Sequence, residues 1–408
     1  MVEDILAFLK WIILGVFLGV IIGFVGVLFH FCIDFATNFR INNTWIYFFL
    51  PVGGLIIAWL YKTFGNENDM GTNFAMVAIR TGDCMHLVTA PLVFIGSVIT
   101  HLVGGSSGRE GAALQIGGSI GNKIGRTIRL DEKDMHTITM CGMSAAFSAL
   151  FGTPITATVF SMEFISIGIM HYSAFVPCVA AAVTGKLVAG YFCVEPENIL
   201  LSSVPEIKPE FLIKTTILAA LCAFISILFC IIMHNVSKGY KKYIPNLYLR
   251  GTIGGFIILA ATLLIGNYDY SGGGMNIVER AVEGDVFIFA FFIKMVLTAL
   301  TIGAGFKGGE IVPTFFIGAT FGNAVSRIIG LEPGFGAGIG TIAVFCGVTN
   351  CPISSIILSL ELFGSEGFLF FAVACAVSYM LSGYTGLYSE QKIIYSKTKT
   401  EFIDKKAC

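Results

Sequence analysis

Six apolar stretches, residues 11–33, 45–61, 88–103, 212–233, 251–266 and 285–302, limit this chain to folds that live in a lipid bilayer. A helix needs about 20 apolar residues to cross a hydrocarbon core about 30 Å thick, and each stretch is read as a crossing. The runs 311–325 and 353–363 are shorter and lie beside glycines, so re-entrant or broken helices are expected there. Composition agrees: of 408 residues 55% are hydrophobic and 12% charged, 37 are phenylalanine, and mean hydropathy is +0.83. Soluble domains carry about 25% charged residues. Residues 11–33 lack a basic start followed by a small-residue cleavage site and are read as a retained helix.

Charge excludes some partners and orients the chain. A formal net charge of −1, with no basic cluster interleaved with aromatics, excludes nucleic acid as a partner. Cations collect at Lys123, Arg126, Arg129 and Lys133, at Lys238, Lys241, Lys242 and Arg250, and at Lys392, Lys397, Lys399, Lys405 and Lys406. The positive-inside rule assigns all three groups to the cytoplasmic face of a multi-pass cell-membrane protein, with residues 392–408 as a short cytoplasmic tail. The 11 cysteines mostly lie in apolar runs without CxxC or His spacing and are read as packing residues. No phosphate-binding loop of the Walker type is present, so no direct ATP drive and no cofactor are expected.

The chain repeats itself. A polar interruption from Val194 to Lys214 divides it nearly in two, and three blocks recur in the same order on either side. Gly71, Asn73 and Ala78 match Gly274, Asn276 and Ala281; Ile116, Gly117, Gly121, Asn122, Arg126 and Ile128 match Ile317, Gly318, Gly322, Asn323, Arg327 and Ile329; Pro154, Ile155 and Glu163 match Pro352, Ile353 and Glu361. The expected division is a first membrane repeat over 1–204 and a second over 205–391. If each half crosses an odd number of times, the copies are inverted and their broken helices meet near the midplane around one site. The fold class follows: an all-α membrane protein of two inverted-topology repeats of tilted, partly broken helices.

The chemistry concentrates in the second block. In Gly104–Gly125 a Gly/Ser-rich turn introduces an apolar helix, and Gly305–Asn323 offers a second such start, with Pro313 suited to a first turn. A helix start carries about half a positive charge and unpaired N–H groups, which suits an anion without a full cation. Glu110 stands inside the first turn, where a carboxylate is costly and therefore a functional candidate. Charged, its carboxylate is a ligand for the helix start; protonated, it swings away and admits a free anion, so one group couples protons to anions. The alternative is a structural Arg109–Glu110 pair. Glu163 and Glu361 are read mainly as local caps or pairs, and His101, His136, His171 and His234 as solvent-facing or packing residues. Ser106 or Ser107 as an intramembrane hydrolase nucleophile is a remote alternative, because no His or Asp partner is recognisable.

Gly108-Arg109-Glu110-Gly111 with its ALQIGG continuation, Ser271–Asn276, Gly308–Pro313 and Gly386-Leu387-Tyr388-Ser389 resemble, in order and over essentially the whole chain, the CLC family of anion channels and proton-coupled anion antiporters. The resemblance implies that Glu110 is the gating glutamate, that Gly108 and Arg109 belong to the anion site, that the N–H groups of Ile311 and Val312 help bind the anion, and that Tyr388 offers its hydroxyl from the inner side. It also implies homodimers in membrane lipid with one pore per subunit. The chain ends soon after Tyr388, so no soluble regulatory domains are expected.

Departures from the chloride-handling pattern set the expected substrate. Their Gly-Ser-Gly-Ile-Pro becomes Asp69-Met70-Gly71-Thr72-Asn73, which puts Met70 at the chloride-coordinating serine, beside Gly71. Glu310 replaces an apolar residue, Ile311 a phenylalanine, and Phe164 stands where an inner proton-carrying glutamate is usual. Methionine and glutamate at these places resemble the bacterial fluoride-exporting branch, although its common threonine is Val312 here. Fluoride exported in exchange for protons is the resulting expectation, with a protonated Glu310 donating to the ion and Met70 either contacting it or packing. A chloride/proton exchanger or passive anion channel of the same fold is the alternative.

Overall fold

The computed structural model describes residues 2–67, 69–82, 85–201 and 203–407. The first half supplies α1 (Val2–Asn42), α2 (Leu50–Thr63), α3 (Thr72–Thr81), α4 (Thr89–Val103), α5 (Glu110–Thr127), α6 (Glu132–Phe151), α7 (Pro154–Glu163) and α8 (Phe175–Tyr191). The second supplies α9 (Pro209–Tyr243), α10 (Leu247–Ile265), α11 (Met275–Glu283), α12 (Ala290–Gly303), α13 (Ile311–Ile329), α14 (Pro333–Thr349), α15 (Pro352–Phe363) and α16 (Phe368–Leu381). Each helix of one half has a counterpart eight places later. The match extends to caps: α3 and α11 start behind Gly71 (φ +60°) and Gly274 (φ +86°), in backbone conformations open to glycine and strained for other residues.

Among the described residues five segments are long and apolar enough to cross a membrane: Val2–Asn42, Thr44–Thr63, Tyr172–Tyr191, Pro209–Tyr243 and Leu247–Ile265. Two expected crossings are corrected by this. The runs 88–103 and 285–302 form α4 and α12, of only 15 and 14 residues. Gly104 (φ +93°) and its repeat partner Gly305 (φ +100°) follow their ends, and left-handed glycine terminates a helix by turning the chain off its axis. Both helices therefore deliver the chain into the protein interior rather than across it. Conversely, Tyr172–Tyr191 has crossing length although polar residues punctuate it.

Twinned hydrogen bonds fix the two halves alike. Arg126 Nε donates to Asn122 Oδ1 at 3.1 Å and Nη2 to the Gly82 carbonyl at 3.0 Å; Arg327 Nε donates to Asn323 Oδ1 at 3.0 Å and its Nη2 to the Gly284 carbonyl. Glu163 and Glu361 do cap, but not locally, which corrects the sequence reading. Glu163 accepts from the Ile353 and Ser354 amides at 3.1 and 2.8 Å, at the start of α15, whereas Glu361 accepts from the Ile155 and Thr156 amides at 3.1 and 2.8 Å, at the start of α7. Each half thus satisfies orphan amides of the other.

The tail is folded rather than loose. Lys392–Tyr395 (β2) pairs parallel with Ser166–Ile167 (β1) and antiparallel with Phe402–Lys406 (β3). Between β2 and β3, Lys397 donates from Nζ to Asn350 Oδ1, to the Tyr379 carbonyl at 2.9 Å and to Ser382 Oγ at 3.1 Å, holding the hairpin on the ends of α14 and α16. Nine cysteines among the described residues are free; Cys84 and Cys408 lie outside them. Truncating Glu361 to Ala strands two amides, so it should lower unfolding stability by about 1–2 kcal/mol, the usual scale for losing a helix cap. Thermal unfolding of the detergent-solubilised protein checks this against Glu361→Gln, which should lose less.

Candidate functional site

Gly108 and Gly309, equivalent residues of the two repeats, exchange both backbone hydrogen bonds at 2.7 Å each in an isolated antiparallel bridge. The bridge welds together the turns that precede α5 and α13, so their starts meet in the interior. Side chains are absent here for a spatial reason: a methyl carbon on Gly111 would lie 3.0 Å from the Gly309 Cα, and one on Gly108 3.1 Å from Pro313 Cδ. The first amides of each helix have no intrahelical acceptor.

Glu110 occupies the first position of α5 and is 1% exposed. Its Oε2 accepts from the Arg109 amide at 2.9 Å, and its Oε1 has no hydrogen-bond partner. The side chain curls back over its own helix start. Arg109 is turned mostly elsewhere: Nη2 donates to Glu197 Oε1 at 2.9 Å and Nη1 lies 2.8 Å from His30 Nδ1, while Nε stays 3.7 Å from Glu110 Oε1. The Arg109–Glu110 pair is thus present, but as the long arm of a guanidinium shared with Glu197 and Asp34. His30 and Glu197 went unmarked in the sequence because they stand far from the glycine motifs.

Two cavities with no lining residue in common approach the bridge. One, of about 540 Å³, is lined by Gly108, Arg109, Glu110, Val312, Glu197 and the Ser271–Asn276 loop. The other, of about 320 Å³, is lined by Met70, Gly71, Gln115, Glu310, Tyr388 and Lys307. For convenience these are the outer and the inner cavity. Glu110 faces the outer one and Glu310, the cap residue of α13 and the repeat partner of Arg109, faces the inner one. Around the bridge Glu310 Oε2, Ser107 Oγ, Gln115 Oε1 and the Tyr388 hydroxyl are buried without hydrogen-bond partners. Buried polar groups are normally paired, so this cluster of open donors and acceptors marks the place as a candidate site.

Other candidates fall in different places. Ile311 and Val312, buried at the start of α13, keep amides without a side-chain acceptor among the described residues. The Gly71 amide is taken, donating to Asp69 Oδ1 at 3.1 Å. Met70 is 45% exposed on the inner cavity, so it does not pack in the core. Tyr388 meets Phe164 edge-on with ring centroids 5.9 Å apart, beside the inner cavity. Ser106 Oγ lies 3.0 Å from Thr298 Oγ1, and His101 Nδ1 is bonded to the Ser97 carbonyl, so no nucleophile–base pair forms. Sequence reasoning missed two buried cations and one half-buried: Arg40, bonded to the His101 carbonyl; Lys294, donating to the Tyr270 and Gly272 carbonyls at 3.0 and 2.6 Å; and the half-buried Lys307, paired with Asp69. Lys294 had a signal, a lysine inside the apolar run 285–302, because intramembrane charges mark sites by default.

A family model described as voltage gated chloride channel matches residues 53–383. A chloride/fluoride channel protein of Pseudomonas syringae pv. tomato is 34% identical over 395 residues, covering 95% of this chain and 87% of that protein. The chain belongs to the CLC family. Among solved structures, a CLC-type fluoride/proton antiporter superposes with a TM-score of 0.90 at 30% identity, over 94% of this chain and 97% of that one. The H(+)/Cl(-) exchange transporter ClcA of Yersinia pestis is 26% identical over 290 residues, 67% of this chain and 60% of its own length. CLC proteins are membrane transporters and channels, not enzymes, and move anions and protons without a cofactor, which removes the hydrolase alternative. In this CLC protein a Gly309→Ala methyl lands on the Gly111 amide, backbone against backbone. That variant should lose its monodisperse peak in size-exclusion chromatography, whereas Gly190→Ala, with nothing within 4 Å of the added carbon, should keep it.

Proposed function

We propose that this CLC protein exports fluoride in exchange for protons, with Glu110 as the group that both ions share. The observation that carries the reading is the Glu110 carboxylate seated on the Arg109 amide at the wall of the outer cavity, with one oxygen free of hydrogen bonds. A helix start that accepts a carboxylate accepts a small anion by the same attraction. Proton uptake weakens the hold of Glu110 on its amide, the side chain moves into the outer cavity, and the anion takes its place; release reverses the order. Proton and anion then cross in opposite senses, and an inward proton gradient drives anion outward.

Fluoride is favoured by what surrounds the anion path. A small anion holds its water tightly and leaves it only for strong donors, since an unpaired buried charge is very costly. Glu310, carrying its proton, supplies such a donor from the start of α13, joined by the Ile311 and Val312 amides and, from the inner side, the Tyr388 hydroxyl. Gly108 and Gly71 keep the backbone close, and Met70 replaces a hydroxyl with a soft, weakly accepting thioether. The names of the two relatives above, a chloride/fluoride channel protein and a fluoride/proton antiporter, agree with this substrate. Phe164 against Tyr388 leaves no acid at that position, so protons reach Glu110 by a path without an inner glutamate there.

Orientation follows from charge. Lys241, Arg250 and Lys307 line the inner cavity, and an ion pair between Lys10 and Asp134 at 2.5 Å joins the start of α1 to the first basic group. The inner cavity then faces the cytoplasm together with the tail 392–408, in a cell-membrane homodimer with one pore per subunit and repeats over 1–204 and 205–391.

Reconstituted liposomes should release fluoride much faster than chloride and move protons in the opposite sense; a chloride preference replaces the substrate, and flux without protons replaces exchange by conduction. Glu110→Gln should reduce proton movement by at least about tenfold, the scale of removing an essential acid–base group. Glu310→Ala should lose fluoride-over-chloride selectivity by roughly 30-fold, equivalent to about 2 kcal/mol for one hydrogen bond to a charge, and Glu310→Gln much less. Equal selectivity in the two variants removes Glu310 as a donor.

A further inference from the structure

The inner cavity holds an ion pair that the exchange reading does not use. Asp69 and Lys307 meet at 2.7 Å, with the Asp69 side chain 4% and the Lys307 side chain 20% exposed. Asp69 Oδ2 takes the ammonium, and Oδ1 accepts from the Gly71 amide at 3.1 Å. Gly71 caps α3, so Asp69 sits on a helix-start donor in the way that Glu110 sits on the Arg109 amide. One carboxylate does this beside the outer cavity and the other beside the inner cavity.

The cation is the fixed partner. Lys307 Nζ stands 3.9 Å from the centroid of the Tyr61 ring, its stem packs against Gly96, and its own amide donates to Thr100 Oγ1 at 3.1 Å. These contacts anchor it to α2 and α4 independently of Asp69. Lys307 also lies three residues before Glu310, and both line the inner cavity with Met70 and Tyr388. An anion that leaves Glu310 inwards therefore passes a full positive charge and a helix-start amide, both held by an internal carboxylate.

We propose that Asp69 is an inner carboxylate gate: it fills the donors of Gly71 and Lys307 until a small monovalent anion displaces it. This rests on the anion-exchange reading and adds its inner-side element. Displacement puts the anion in the carboxylate's place at Lys307; the site gains one negative charge, and the freed carboxylate turns into a cavity of about 320 Å³ that admits water and is also lined by Lys241 and Arg250. The competition also discriminates. An ion that forms short, strong hydrogen bonds can replace a carboxylate already making two; a larger halide with weaker contacts does so less readily.

The test uses the full-length protein in inside-out and right-side-out membrane vesicles, with fluoride and chloride electrodes reading transport as the anion concentration on each face is varied. Asp69→Ala should lower the half-saturating fluoride concentration on the inner face by about tenfold, the scale of one charge-assisted hydrogen bond, and raise chloride flux relative to fluoride. The outer half-saturating concentration should stay unchanged. Lys307→Met should raise the inner value, and Lys307→Arg should restore it. Where Asp69→Ala fails to give monodisperse protein, Asp69→Asn, which keeps an acceptor for the Gly71 amide, takes its place with a smaller shift in the same direction. Equal shifts on both faces, or lower flux tracking a lower unfolding temperature with the chloride-to-fluoride ratio unchanged, overturn the gate and leave the pair a structural clamp. The parent reading fails separately: a wild type that carries chloride in preference, or no protons, sinks fluoride/proton exchange while the one-sided shift in the variants is still read.

Discussion

The backbone bridge between Gly108 and Gly309 is the constraint on which the rest of the molecule turns. Two short helices, α4 and α12, bring the chain inwards, and two others, α5 and α13, carry it away. Non-helical backbone at such depth has to be buried in protein or line a cavity, because lipid offers no hydrogen bonds. The bridge meets that requirement for two glycines, and the first amides of the helices that follow have no intrahelical acceptor. The structure needs no full cation at this point because two helix starts supply partial ones.

Around the bridge the duplicated halves divide the labour. Equivalent positions bear Arg109 and Glu310, or Glu110 and Ile311, so symmetry of the backbone is kept while symmetry of the chemistry is broken. An acid from one repeat faces the outer cavity and an acid from the other faces the inner cavity. The capping glutamates 163 and 361 follow the opposite logic: they stay identical and reciprocal, because what they satisfy, the amides at the start of the partner helix, is the same in both halves.

Several features lay open in the primary structure. The apolar runs required a bilayer, ordered matches such as Gly117 with Gly318 and Arg126 with Arg327 announced the duplication, and the glycine turn before Glu110 marked the candidate site. Helix extents were less legible. Residues 88–103 and 285–302 are apolar enough to cross, yet end early at Gly104 and before Gly305, since hydropathy counts side chains and is blind to a backbone turned by left-handed glycine. Partners distant in sequence were hidden as well: nothing near Arg109 announces His30 or Glu197, and nothing near Asp69 announces Lys307.

By itself, then, the sequence determined the solvent, the repeat and the residue types of the candidate site, because these depend on composition and on short-range patterns. Tertiary structure alone decided that Glu110 and Glu310 open onto separate cavities, that Arg109 is shared between Glu110 and Glu197, and that Glu163 and Glu361 cap across the repeats. Those outcomes depend on which distant segments the inverted halves press together, and contacts of that kind leave no local trace along the chain.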